Sequence, residues 1–521
     1  MPAADIASIA DIVRVHSAER PDAVALEVGE RTITFAELDT RSSRAANAFR
    51  AAGVQFGDRV AFIDKNGAEF FDVTYGLAKL GAVGVAVNWR LAPPEMLQII
   101  EDSGAQVVVV GSEFFGHIEA IEDRLTKVHT IVAVGPHDRW PTFDDWVAGH
   151  PADDPGVTTG PTDVAFQLYT SGTTGLPKGV ILTNNNFFGA VSGIAEQWRF
   201  TPDSVNLALM PAFHIAGAGW AMVGHYFGCT NVVMRDIDPA AILAAVPRHR
   251  ITNAFMVPAV IQILLVTPGI EHTDFSSLRT LVYGASPISD DVLVKGIERF
   301  GCEFIQVYGL TETTGAITQL EGVDHDPEHR SGLLRSCGKP YPWVEVRIVD
   351  ANGDDVATGV VGELWTRSHQ NMAGYWNKPS ATAATITPDG WLKTGDAGYL
   401  DDKGYIYLYD RVKDMIVSGG ENVYPAEVEN VLMAHPDVAD VAVIGVPDER
   451  WGEAVKAVVV PAAGSQPTQA DLIAYARDQL AGYKLPKSVD FTEALPRNPS
   501  GKLLKRQLRE PYWEGVDRNV G

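Results

Sequence analysis

Residues 169–180 read YTSGTTGLPKGV. Thr170, Ser171, Thr173 and Thr174 offer hydroxyls, while Gly172, Gly175 and Gly179 let backbone amides turn towards one point. Lys178 adds a positive charge. Hydroxyls, amides and an ammonium gathered in this way suit a polyphosphate. The stretch is not the P-loop of kinases and GTPases, which needs glycine where Pro177 stands and Ser or Thr where Gly179 stands. A flexible Gly/Thr turn is the lesser alternative, and its surroundings decide.

Those surroundings alternate strand and helix. VALEVGERTITF reads as a hairpin turning at Gly29–Glu30, and Thr34 with Glu37 forms a capping box that opens a helix ending near Gly53. RVAFIDKN is a strand, GAEFFDVTYGLAKLGAV a helix and GVAVNW a strand, and the rhythm continues past residue 160. Such alternation predicts an α/β fold with mostly parallel, helix-covered sheets. Near residue 340 the pattern becomes β-rich, with turns at Asn352–Gly353 and Lys403–Gly404. A small α+β unit follows Arg411, so the expected layout is a large domain over 1–410, a joint at 411–413 and a small domain over 414–521. A chain of 521 residues is too long for one ordinary core, in keeping with two domains.

Composition narrows the function. The 42 Lys and Arg face 66 Asp and Glu, a formal charge of −24. A surface that negative repels nucleic acids and anionic lipid. Cys229, Cys302 and Cys337 are scattered and supply neither a disulfide framework nor a zinc site. The N-terminal residues lack an apolar signal-peptide core, which points to the cytoplasm. Residues 204–234 and 251–270 carry no Asp, Glu, Lys or Arg, but prolines, glycines and histidines interrupt them. They are expected to be buried core rather than transmembrane spans, and to line an apolar pocket. Oligomeric state is left open, with a homodimer as one option.

Further segments recur in a telling order: GAS (284–286), VYGLTETTG (307–315), TGD (394–396), DRVKDMIVSGGENVYPAEVE (410–429) and PRNPSGKLLK (496–505). With residues 169–180 they resemble the adenylate-forming superfamily of acyl-CoA synthetases, luciferases and peptide-synthetase adenylation domains. The resemblance covers essentially the whole chain. It implies an ATP- and Mg²⁺-dependent enzyme that activates a carboxylic acid and transfers it to coenzyme A. No carrier domain follows, so a free-standing acyl-CoA ligase is the expected branch, acting on a fatty acid of medium or greater length. An aryl or steroid side-chain acid is the alternative. A degenerate nucleotide sensor is the non-enzymatic reading, against which Lys502, Glu312 and Asp396 stand together.

The resemblance also implies roles. Tyr308, beside the open approach at Gly309, stacks on adenine, with Gly284, Ala285 and Ser286 on the other face. Glu312 serves the metal, as a hard oxygen ligand should, and Thr311 bonds the phosphate region. Asp396 accepts the ribose hydroxyls with Arg411 as its partner. Lys502 bridges carboxylate and α-phosphate. It lies in a basic stretch, Arg477 to Arg509, with eight Lys or Arg and three acids. Lys484 and Lys487 neighbour the CoA phosphates, and Gly419 and Gly420 admit its pantetheine arm. Lys413 matches the hinge. His214 in MPAFHIAG lies near the acyl and thioester site, with Trp220, Met222, Val257, Gly315 and Ala316 as pocket walls.

Overall fold

Glu37 N–H donates to Thr34 Oγ1 at 3.2 Å and Thr34 N–H to Glu37 Oε2 at 2.8 Å, closing the expected capping box. Helix Phe35–Ala51 follows. Before it, strands Val24–Val28 and Arg31–Thr34 form the expected hairpin, with Gly29 at φ +61° making the turn. The computed structural model describes residues 6–171, 177–286, 288–411, 414–418, 421–448, 451–477, 479–497 and 503–514. At 171, 192, 195, 196, 409–411, 421, 422 and 452 it describes the backbone alone.

The chain divides into two compact units. The first joins Met1–Leu334, Gly338–Glu345 and Arg367–Leu392; the second joins Arg335–Cys337, Val346–Thr366 and Lys393–Gly521. The β-rich segments 346–366 and 393–410 therefore group with the C-terminal part, as do Arg411 and Asp414.

In the first unit a nine-stranded sheet runs Lys339–Pro340, Gly315–Leu320, Glu303–Leu310, Thr280–Gly284, Asn253–Met256, Val205–Ala208, Thr230–Val233, Val24–Val28, Arg31–Thr34. Every pairing from Glu303–Leu310 through Val24–Val28 is parallel, and the edges are antiparallel. Four more parallel strands, Val83–Ala86, Arg59–Ile63, Val107–Gly111 and Thr130–Val134, make a second sheet. Arg59–Ile63 and Val107–Gly111 are buried throughout, as strands covered on both faces must be. The single rhythm read from the sequence thus serves two sheets. The 169–180 motif lies on neither. It belongs to a three-stranded antiparallel sheet of Val164–Ser171, Pro177–Thr183 and Gly374–Tyr375.

The second unit holds a sheet of Glu345–Val349, Gly362–Arg367, Leu392–Leu400 and Ile406–Arg411. Its other sheet contains Val438–Asp448 and Gly452–Pro461, with helices Pro425–Met433 and Gln469–Arg477. No helix among the described residues is long and apolar enough to cross a membrane.

The uncharged 204–234 segment is core. It includes helix Ile215–Tyr226, where eleven of twelve residues are buried. His225 fastens this helix: its Nε2 hydrogen-bonds Ala25 O at 2.9 Å, and Tyr75 Oη donates to Nδ1 at 2.8 Å. Burial lowers the His225 pKa to about 4. In the unfolded chain the ring binds a proton below pH ~6.5. The folded state refuses that proton down to pH about 4. Stability from this group is therefore complete above pH ~6.5 and lost as pH falls towards 4, ~3 kcal/mol in all. Urea unfolding at pH 7 and pH 4 should show this loss, and His225→Gln should reduce it by ~3 kcal/mol. An unchanged loss in that variant would remove His225 as its source.

Candidate active site

Register brings the two flanks of the 169–180 motif together. Across the antiparallel pair, Thr170 faces Lys178 and backbone residue 171 faces Pro177. Gly172, Thr173, Thr174 and Gly175, which connect them, lie outside the described residues, as does the Ser171 side chain. Tyr375 pairs with Val180 on the next strand. Lys178 Nζ then lies 4.8 Å from the centroid of the Tyr375 ring, a cation–π distance.

Glu312 approaches from elsewhere in the chain. It sits in the 3₁₀ turn Thr311–Thr313 that follows strand Glu303–Leu310. Leu310 N–H donates to Thr313 Oγ1 at 2.8 Å, and Thr314 and Gly315 then take left-handed φ of +55° and +94°. Met372 N–H grips the Glu312 carbonyl at 2.8 Å. So held, Glu312 Oε1 accepts from Tyr375 Oη at 3.0 Å and from Thr170 Oγ1 at 3.5 Å, the second contact being long. Thr170, Lys178, Glu312 and Tyr375 therefore converge. Thr311, buried, lies beside them. Tyr375 escaped the sequence reading. Its signal was the aromatic pair after glycine in GYWNKP (374–379), which nothing local distinguishes from an edge-strand turn.

The aromatic end stands at the C-terminal ends of two parallel strands, the usual ligand side of such sheets. Gly284 closes Thr280–Gly284 opposite Val307, one residue before Tyr308. A Cβ on Gly284 would lie 2.2 Å from Val307 O, so the strand admits only glycine there. Ala285 takes a left-handed φ of +68°, and Ala285 and Ser286 are exposed. Between Tyr308 and Gly309 the pairing with Gly315–Leu320 shifts register. A Cβ on Gly309 would come within 1.8 Å of Gly315 O, so this bulge too requires glycine.

His214 is the N-cap of helix Ile215–Tyr226. Its Nδ1 accepts from Ala216 N–H at 3.1 Å, which leaves the neutral ring's proton on Nε2. Asn66 fixes the preceding loop through Met210 O at 3.0 Å and Ala212 N–H at 3.0 Å. Gly315 adjoins the same place, because a Cβ there would stand 3.7 Å from Ile215 Cγ1. Ala316 is half-buried, its carbonyl accepting from Gln370 Nε2 at 3.1 Å. Trp220 and Met222 are packed in the core at 4% and 0% exposure, with the indole N–H on Leu207 O at 3.1 Å. Val257 precedes helix Pro258–Leu265 as its N-cap.

In the second unit, Asp396 is buried on strand Leu392–Leu400 and pairs in register with Arg411, whose side chain lies outside the described residues. Gly395, at φ +70°, donates its N–H to Glu363 Oε1 at 3.0 Å, and Asp396 N–H donates to Thr394 Oγ1 at 3.1 Å. Lys484 pairs with Glu427 at 2.6 Å, and Lys487 Nζ lies 6.0 Å from the Trp451 ring. Lys413, Gly419, Gly420 and Lys502 lie outside the described residues.

Two family models match the chain: AMP-binding enzyme over residues 13–376 and AMP-binding enzyme C-terminal domain over 427–502. The fatty acid–[acyl-carrier-protein] ligase ScoC of Streptomyces coeruleorubidus is 42% identical, covering 97% of this chain and 96% of its own. A feruloyl-CoA synthase of Amycolatopsis sp is 39% identical over 94% of this chain and 96% of its own. Among solved structures, ATP-bound MatB of Rhodopseudomonas palustris superposes with a TM-score of 0.88 at 31% identity, over 96% of this chain and 99% of that one. With glycines that only close backbone approach explains and a carboxylate set against the strand pair that carries Thr170 and Lys178, this chain belongs to the AMP-binding enzyme family, in its acyl-CoA synthetase branch of adenylate-forming enzymes.

Proposed function

We propose that the chain converts a carboxylic acid and ATP to an acyl-adenylate and pyrophosphate, then passes the acyl group to coenzyme A, releasing AMP. The acid in this reading is apolar, a fatty acid of medium or greater length. The observation that carries the proposal is the convergence of Thr170, Lys178, Glu312 and Tyr375 at the base of a hydroxyl-rich hairpin.

In the first step a carboxylate oxygen attacks the α-phosphorus, and the bond to the bridging oxygen of pyrophosphate breaks. Carboxylates are poor nucleophiles, so the rate comes from positioning and preorganised positive charge. Lys178 with the hydroxyls and amides of residues 170–175 cradles the β- and γ-phosphates, Thr311 bonds the phosphate region, and Lys502 faces the α-phosphate. Tyr308 and residues Gly284, Ala285 and Ser286 hold the adenine, while Asp396 and Arg411 hold the ribose.

The residues at Glu312 fit Mg²⁺. Its Oε1 is engaged by two hydroxyls, and no described side chain bonds Oε2. Among the described residues no three His, Cys, Asp or Glu gather, and a Mg²⁺ shared with nucleotide phosphates needs only one or two carboxylates. Bound there, the ion would neutralise phosphate charge.

In the second step the CoA sulfur attacks the acyl carbonyl, the bond to AMP breaks and AMP leaves. His214, Gly315, Ala316 and Val257 border the acyl group in this reading, backed from the core by Trp220 and Met222. Gly419 and Gly420 make room for the pantetheine arm, and Lys484 and Lys487 approach the CoA phosphates. Residues 414–521 turn about 411–413 between the steps, relative to 1–410.

The apolar acid is supported by the uncharged neighbours of His214, namely Ile215, Gly315 and Ala316, and by the fatty-acid relative. The feruloyl relative favours an aryl acid as the second class. Pyrophosphate release over a panel of fatty, aryl, amino and short acids tests this, with CoA and a holo-acyl-carrier protein as alternative acceptors. Fatty acids of medium or greater length with CoA are expected to turn over fastest. Activity confined to acetate or amino acids would sink the substrate assignment.

A further inference from the structure

We infer that Asp102 is a positioning residue for the phosphate hairpin, acting from the face of its three-stranded sheet opposite Glu312. The inference rests on reading Thr170, Lys178 and Glu312 as the ATP site. Successive strand residues point to opposite faces of a sheet. On one face Thr170 and Tyr375 bring their hydroxyls to Glu312. Their immediate neighbours Tyr169 and Trp376 meet Asp102 instead. Tyr169 Oη donates to Asp102 Oδ2 at 2.8 Å, and Trp376 Nε1–H donates to the Asp102 carbonyl at 3.1 Å. Lys378 Nζ donates to Asp102 Oδ1 at 2.8 Å.

One residue in the last turn of helix Pro93–Ser103 thus ties together the two segments that supply Thr170 and Tyr375. A second layer braces the tie. The Arg59 guanidinium lies 3.5 Å from the Trp376 ring centroid, and its Nε–H donates to Gln167 Oε1 at 3.0 Å. Gln167 Nε2 in turn donates to Tyr169 Oη at 3.3 Å. Gly179 closes the gap between them: a Cβ there would stand 3.0 Å from both Gln167 Nε2 and Tyr169 Cζ, and its carbonyl accepts Trp376 N–H at 2.7 Å. Burial, with the Asp102 charge beside it, raises the Tyr169 pKa far above that of a free phenol, so this hydroxyl stays a donor.

Asp102 acts on the Thr170–Lys178–Glu312–Tyr375 cluster through Tyr169, Trp376 and Lys378, and both segments of that cluster depend on it for their spacing. Misplacing groups by ~1 Å in such a site costs up to ~10²-fold in rate. The effect should be confined to the step that uses the phosphates. A generally structural role predicts equal losses in both steps.

The test compares Asp102→Ala, Asp102→Asn, Tyr169→Phe, Lys378→Met and, as a marker of the ATP site, Glu312→Gln. Pyrophosphate exchange is measured against ATP concentration, ATP-induced rise in Tm without acid, and thioester formation from a supplied acyl-adenylate. Asp102→Ala should raise the KM for ATP by about tenfold and shrink the ATP-induced Tm rise, with the thioester step kept within about twofold. Asp102→Asn, whose carboxamide oxygen still accepts from Tyr169, should recover part of the loss. Tyr169→Phe and Lys378→Met should each give about a threefold shift in the same direction. If Asp102→Ala fails to fold, Tyr169→Phe, which removes a single hydroxyl, decides. Normal ATP dependence in Asp102→Ala and Tyr169→Phe beside an impaired Glu312→Gln overturns the inference alone. Equal losses in both half-reactions overturn it as well. Normal ATP dependence in Glu312→Gln overturns the ATP-site reading and the inference with it.

Discussion

Lys502→Ala is expected to slow adenylate formation on the order of a thousandfold, while leaving transfer from a supplied acyl-adenylate within about twofold. The first step gathers negative charge at the α-phosphate as a weak nucleophile enters. A preorganised ammonium there is worth far more than it would be in water. The second step starts from an acyl-adenylate, whose leaving group is already good, and needs the thiol rather than Lys502. The proposed rotation about 411–413 removes the lysine at that stage. The described residues on either side of it in the chain are well anchored: Arg497 and Leu503 are bridge partners, Arg497 pairs with Asp440 at 2.6 Å, and Lys505 pairs with Glu429 at 3.0 Å. Truncating Lys502 should therefore leave the fold intact. Single-turnover assays of each half-reaction, with melting temperature as control, separate the outcomes. Equal loss in both steps would reassign Lys502 to a structural role.

Lys413→Pro is expected to preserve pyrophosphate exchange and to lower CoA thioester formation by on the order of a hundredfold. A hinge is a small set of residues whose φ/ψ absorb a domain rotation. Proline fixes φ near −65° and also restricts the residue before it, here Val412. One of the two states then becomes inaccessible, and the adenylating state is the one expected to survive. A lysine that is merely solvated in a turn predicts small and equal changes in both steps. A variant with both rates intact would remove Lys413 from the mechanism. The position matters all the more because Arg411 and Asp414, on either side of 412–413, both belong to the second compact unit. A division by compactness and a division by motion answer different physical questions, and this variant addresses the second.

Local chemistry determined much of this protein from its sequence alone. The Thr34–Glu37 capping box, the Gly29 turn and the strand–helix alternation depend on residues within one turn or hairpin of each other. Neighbours in the chain suffice for them. The glycines of GAS and YGLTETTG were legible as motif, but their reason was not. Gly284 and Gly309 are required by Val307 O and Gly315 O, carbonyls that only strand pairing brings close. Tertiary structure alone decided that the strands flanking residues 172–176 pair antiparallel outside both parallel sheets. It also decided that Tyr375 and Glu312, 63 residues apart, share a hydrogen bond, and that Asp102 holds Tyr169 from 67 residues away. Trp220 and Met222, which the resemblance offers as pocket walls, are both buried. Apolarity says that a residue leaves water, but not which surface it will leave water to meet. Motifs carry the proposed chemistry because each candidate group sits among its own neighbours. The distances between groups from different segments were fixed only by packing and register.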